Sequence, residues 1–137
     1  SGAAIVAEEI ERMERGMSRL SEDHREVILL ARLVGLPHAE THAIVLPHAL
    51  AYNAPAAPEA MQRIERALDA PHPPGKIFDL EKKLGLPTRL ADIGMKEADL
   101  ERAARMAVES PYPNPRKVEY APVLALLREA YEGRRPA

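Results

Sequence analysis

The residues with the most chemistry to offer are the five histidines of the 137-residue chain. His38 and His42 stand four apart, a spacing that puts two imidazoles on one face of a helix and suits zinc or nickel. Glu40 lies between them but points elsewhere, so this is not the His-Glu-x-x-His pattern of metalloproteases. A catalytic metal takes about three converging protein ligands, and two donors fall short of that. The plainer reading of the pair is two surface or semi-buried histidines left from a lost site. His48 follows Pro47 and reads as a structural residue filling a proline kink. His24 falls in the first turn of an exposed helix and His72 in a proline-rich loop. Cysteine is absent, and Ser18, Ser21 and Ser110 have neither a nucleophile elbow nor a base partner. No catalytic or cofactor-binding residue is therefore assigned, no cofactor is expected, and the metal candidates are His38 and His42.

Composition narrows the classes further. Nineteen basic against 21 acidic residues give a net charge of −2, whereas nucleic-acid binding normally rests on a basic face. Glu8–Arg12 and Glu11–Arg15 read as i,i+4 pairs on a solvated helix face. Arg116, Lys117, Arg134 and Arg135 form a small basic cluster, with Arg116 expected to anchor an extended loop. The stretch 43–51 is the most continuously apolar and is far shorter than the ~20 residues of a membrane span. The opening Ser1-Gly2 lacks the pattern of a signal peptide and reads as a scar of tag removal, so a cytoplasmic setting is expected.

These side chains must be positioned by helices. Apolar residues recur at Val6, Ile10, Met13, Met17 and Leu20, then at Val27, Ile28, Leu30, Ala31 and Val34, predicting a helical hairpin over 1–35. Gly35 followed by Pro37 is a stop signal. A helix is predicted over about 37–52, kinked or interrupted at Pro47, and another from Pro58 to Leu68. Pro71, Pro73, Pro74 and Gly75 predict a rigid link before a helix over 76–84. Residues 88–93 predict a short turn at most. Helices over about 96–109 and 119–132 follow, burying Leu100, Ala103, Ala104 and Ala107, then Val123, Leu126, Leu127 and Ala130. No stretch alternates with period two. The expected fold is all-α, a single helical domain or bundle of about six to seven helices with proline-rich connections.

Two family resemblances emerge from residue order. Leu20-Ser21-Glu22-Asp23-His24-Arg25-Glu26-Val27, with the apolar run ending at Gly35-Leu36, resembles the start of region four of extracytoplasmic-function RNA polymerase sigma factors, over about residues 8–37. The helices that would enter the DNA groove in that family have no counterpart after Leu36. From Leu36 to about Pro136 the chain resembles the C-terminal helical domain of iron-containing alcohol dehydrogenases, closest to maleylacetate reductases. That resemblance is carried by Leu36-Pro37-His38-Ala39-Glu40-Thr41-His42 through His48, by Tyr52-Asn53, by Gly85-Leu86-Pro87-Thr88-Arg89-Leu90, and by Asn114-Pro115-Arg116. It implies that a separate dinucleotide-binding domain belongs elsewhere in such an enzyme, and no glycine-rich fingerprint is found here. It also implies that His38 alone keeps one of the family's metal-ligand positions.

Taken together, the two resemblances predict a designed or recombined chimera joined at Gly35–His38, its halves forming one core and carrying no intact activity. Two alternatives follow from the same residues: a dehydrogenase remnant with metal or ligand affinity, and a polymerase- or DNA-binding module. Partners are expected to be limited to further copies of the chain through uncovered apolar faces, with no nucleic acid and no membrane.

Overall fold

The computed structural model describes residues 35–109 and 113–137, and the hairpin predicted over 1–35 lies almost wholly outside them. Among the described residues there are helices and turns but no strand, as an all-α fold requires. Five α-helices appear in order: α1 (His38–Asn53), α2 (Pro58–Leu68), α3 (Pro73–Lys83), α4 (Leu100–Glu109) and α5 (Tyr120–Glu132). Three short 3-10 turns, Ala54–Ala56, Leu90–Ile93 and Glu97–Asp99, complete the set.

Helix α1 is the central element. Ile44, Val45, Leu46, Pro47, His48, Ala49 and Leu50 are all buried, so it is covered on every side rather than along one stripe. A helix apolar all round belongs in the interior of a bundle, and α1 contacts α3, α5 and the Leu90–Ile93 turn. Pro47 sits inside it, yet the helix runs unbroken from His38 to Asn53. An interior proline costs about 3 kcal/mol. Burial of seven consecutive residues outweighs that cost, at ~1.5–3 kcal/mol for each large apolar side chain.

The central helix divides the core in two. Ile44, Val45, Ala49 and Tyr52 join Leu36, Leu90, Met95, the α4 residues Leu100, Ala103, Ala104 and Ala107, and the α5 residues Val123, Leu127 and Ala130. The alanines of α4 permit close approach to α5, against which it packs. On the other side Leu46 and Leu50 meet Met61, Ile64 and Leu68 of α2 and Ile77 of α3.

Two boundaries differ from expectation. Pro73, Pro74 and Gly75 do not form a link but the first turn of α3. The first amides of a helix have no intrahelical acceptor, so prolines are tolerated there. His72 caps the turn, its Nδ1 accepting from the Gly75 N–H at 3.3 Å. The helix expected from residue 96 is preceded by the Glu97–Asp99 turn and begins at Leu100. The inward faces expected for α4 and α5 are found except that Leu126 is half-buried. No helix among the described residues is long and apolar enough to cross a membrane.

Candidate binding cleft at the Tyr52–Arg116 junction

The end of α1 is tied to the segment that leads into α5. Asn114 Nδ2 donates to Asn53 Oδ1 at 2.8 Å and also to the Arg116 carbonyl. The Arg116 guanidinium lies 4.2 Å from the Tyr52 ring centroid, and its Nη1 donates to the Tyr52 carbonyl at 3.3 Å. The Tyr52 hydroxyl donates in turn to the Lys117 carbonyl. Tyr52-Asn53 and Asn114-Pro115-Arg116, far apart in sequence, thus form one junction. The extended chain after Pro113 forms no helix, so side chains supply partners for its carbonyls. Arg116 anchors the loop, as expected from its place in the sequence.

Beside this junction is a cleft of about 260 Å³ lined by His48, Tyr52, Arg116, Pro122, Leu126 and Glu129, with Ala51 and Ala125. His48 comes from α1 and Glu129 from α5. The His48 side chain is 1% exposed, and its Nδ1 lies 3.9 Å from Glu129 Oε2. Its ring meets Phe78 edge-on, with centroids 6.4 Å apart. Among the described residues neither ring nitrogen has a hydrogen-bond partner. Burial disfavours the charged imidazolium and pushes the His48 pKa down from 6.5 to about 4. The imidazole is therefore neutral at pH 7, with one donor and one acceptor nitrogen.

A second, larger cleft of about 500 Å³ is bordered by Pro55, Pro58, Met61, Glu65, His72 and Ala137, among others. Its rim holds the chain end: Pro136 is fully buried, and Arg135 grips Asp79 with Nε–Oδ1 at 3.0 Å and Nη2–Oδ2 at 3.1 Å. That fork holds the Asp79 carboxyl below its ordinary pKa, chiefly through the hydrogen bond from Arg135.

The predicted metal pair has a different setting. His38 opens α1 and His42 follows one turn later, half-buried. Thr41, between them, donates from Oγ1 to the Pro37 carbonyl at 2.6 Å and secures the first turn. Among the described residues no group of three histidine, cysteine, aspartate or glutamate side chains that could hold a metal ion is found. Sequence reasoning missed two features. Glu81 of α3 is buried at 2% exposure, where a glutamate is ordinarily found at the surface. The approach of Glu129 to His48 depends on α5 crossing α1, which no local spacing encodes.

The model of the Fe-containing alcohol dehydrogenase family, C-terminal, matches residues 3–131. Maleylacetate reductases from Pseudomonas knackmussii and Burkholderia cepacia are 46% and 48% identical over 114 residues, which is 83% of this chain and 32% of theirs. The chain thus spans about a third of the length of these relatives. Among solved structures, an alcohol dehydrogenase described as putative, from Ralstonia eutropha JMP134, superposes with a TM-score of 0.80 at 54% identity, covering 83% of this chain and 33% of that one. A maleylacetate reductase from Agrobacterium tumefaciens gives 0.78 at 37% identity, covering 82% and 32%.

The match at residues 3–131 runs straight through Gly35-Leu36-Pro37-His38. The expected division into a sigma-like hairpin and a dehydrogenase-like remainder is thereby corrected, and no chimera is needed to account for the chain. The sigma-like similarity rested on residue order over about residues 8–37, a stretch that the dehydrogenase-family match covers as well. One family accounts for both sides of the supposed join, and this chain belongs to the iron-containing alcohol dehydrogenase family, of which it carries the C-terminal part.

Proposed function

We propose that the chain is the C-terminal helical portion of a nicotinamide-dependent oxidoreductase of the maleylacetate reductase type, and that it has no turnover by itself. The observation that carries this reading is the pairing of 46–49% identity to maleylacetate reductases with coverage of only 32% of their length. The glycine-rich phosphate cradle a dinucleotide requires is absent from these 137 residues, so cofactor binding falls to sequence outside them. Within such an enzyme the helical portion supplies a rigid wall to the cleft that holds substrate, as expected of sites placed where two domains meet.

The test is a graft. The chain replaces the corresponding third of the Burkholderia cepacia reductase, and maleylacetate-dependent oxidation of NADH is followed by absorbance. Turnover by the graft and none by the isolated chain is the expected result. A folded, cofactor-binding graft without turnover overturns the assignment of activity, and turnover by the isolated chain overturns the need for a second domain.

A second reading draws on the spacing at the start of α1, where His38 and His42 lie one turn apart. It treats them as a two-donor site for Zn²⁺ or Ni²⁺. A rise in melting temperature with either ion that disappears in His42→Ala supports it, and identical melting with and without metal removes it.

A further inference from the structure

After Gly133 the chain turns back from the end of α5 and crosses the head of α3. Gly133 takes a positive φ of 73°, and the Arg134 N–H still donates to the Glu129 carbonyl at 3.0 Å. Beyond that bond, no backbone group of 134–137 is hydrogen-bonded to other backbone among the described residues. Side chains hold the segment instead. Arg135 meets Asp79 through two parallel bonds of 3.0 and 3.1 Å, and both side chains are half-exposed. The guanidinium lies over Gly75 in the first turn of α3, where a Cβ would stand 2.5 Å from Arg135 Nη2. Pro136 is fully buried. Ala137 reaches the cleft of about 500 Å³ that Pro55, Pro58, Met61 and His72 also line.

We propose that residues 134–137 form a releasable strap, clasped by Arg135 on Asp79 and Gly75, that pins the head of α3 and closes one side of the cleft. The strap opens while the rest of the bundle stays folded. Its fastenings differ in kind from those of the core. A half-exposed ion pair is weak beside packed apolar surface, and salt screens it. The bidentate geometry fixes where the strap lands, and Pro136 is its one buried apolar anchor. A segment with so few buried contacts and so few backbone bonds opens well below the free energy of global unfolding. Gly75 is the seat of the clasp, because any side chain there would occupy the place of the guanidinium. Helices α3 and α5 each pack on α1, and the strap bridges them directly. Opening withdraws Ala137 from the cleft wall and frees the first turn of α3. This proposal is independent of the oxidoreductase reading.

The test is native-state hydrogen exchange and methyl NMR on the full chain and three variants. In the unaltered chain the amides of residues 75–77 should exchange roughly tenfold or more faster than those of residues 44–46. Their rates should barely respond to low denaturant, as local opening requires. Arg135→Ala and Asp79→Ala each remove half of the fork, whereas Gly75→Ala displaces the guanidinium and keeps both charges. All three should speed exchange at residues 75–77 by roughly threefold or more, the scale of one exposed ion pair. They should also shift the Met61 methyl signal on the cleft wall and leave that of Met95, in the other cluster, in place. If residues 75–77 share the rates and denaturant response of residues 44–46, the strap does not open by itself and the proposal is overturned. Faster exchange in Asp79→Ala alone places the effect within α3 and overturns the strap. Faster exchange in both fork variants but not in Gly75→Ala overturns the seat, and an unmoved Met61 methyl overturns the link to the cleft.

Discussion

His48 is where burial and proton binding meet most directly. Its pKa is about 4 in the folded chain against 6.5 when exposed, so the unfolded chain takes up the proton first as pH falls. The stabilisation from keeping this imidazole neutral is complete above pH 6.5 and is lost progressively between pH 6.5 and 4, amounting to about 3 kcal/mol. Thermal melts across that range should show the decline, and His48→Leu should flatten the part due to this residue. Arg116→Ala removes a cation–π contact and a hydrogen bond, together worth about 1–2 kcal/mol at a half-exposed site. Urea unfolding should show that loss, with Arg116→Lys recovering part of it because the lysine keeps charge but not the planar stack. From the sequence His48 reads as a structural residue because it follows Pro47, and Arg116 as a loop anchor, the role its bond to the Tyr52 carbonyl gives it. The sequence did not reveal that both line one cleft, because that depends on how α5 lies across α1. The site expected at His38 and His42 has only its helical spacing visible, with no converging third donor among the described residues.

At the scale of elements, helix ends decide where chain direction changes. Gly133 ends α5 with φ of 73°, and its N–H and that of Arg134 both donate to the Glu129 carbonyl, at 2.9 and 3.0 Å. A Cβ at residue 133 would stand 2.3 Å from Arg89 Cγ. Gly133→Ala should therefore lower stability by about 1–2 kcal/mol for the left-handed backbone alone, seen as a lower melting temperature, and further by whatever shift Arg89 must make. Helix periodicity showed most of the inward faces, including all four buried residues of α4. The start of α3 was misread because Pro-Pro-Gly is a breaker in the middle of a helix and a starter at its head. Only the cap from His72 tells the two apart, and that cap is a matter of geometry.

For the whole molecule, the two apolar clusters on either side of α1 should unfold together, since they share its backbone. Ile77→Ala, at a site with 0% exposure, should cost about 2–5 kcal/mol. It should lower the melting temperature as one transition reported equally by circular dichroism and Tyr fluorescence, although Ile77 and Tyr52 lie in different clusters. An all-α fold was legible from the missing period-two pattern and the regular apolar steps. The unity of the chain across residues 35–38 was not, because a short amphipathic sequence pattern carries too little information to name its origin.

Pro47 lends the central helix one more property. Residue 47 has no amide hydrogen, so α1 has a silent position in exchange with heavy water, and the carbonyl of Ala43 lacks the helical donor that would otherwise cap it. On either side, the amides of residues 44–46 and 48–50 sit in the most enclosed stretch of the chain. They should be among the last to exchange, opening only when the whole molecule opens. The proline thus leaves a one-residue gap in the most protected tract, and a register mark by which exchange data can be aligned to the helix.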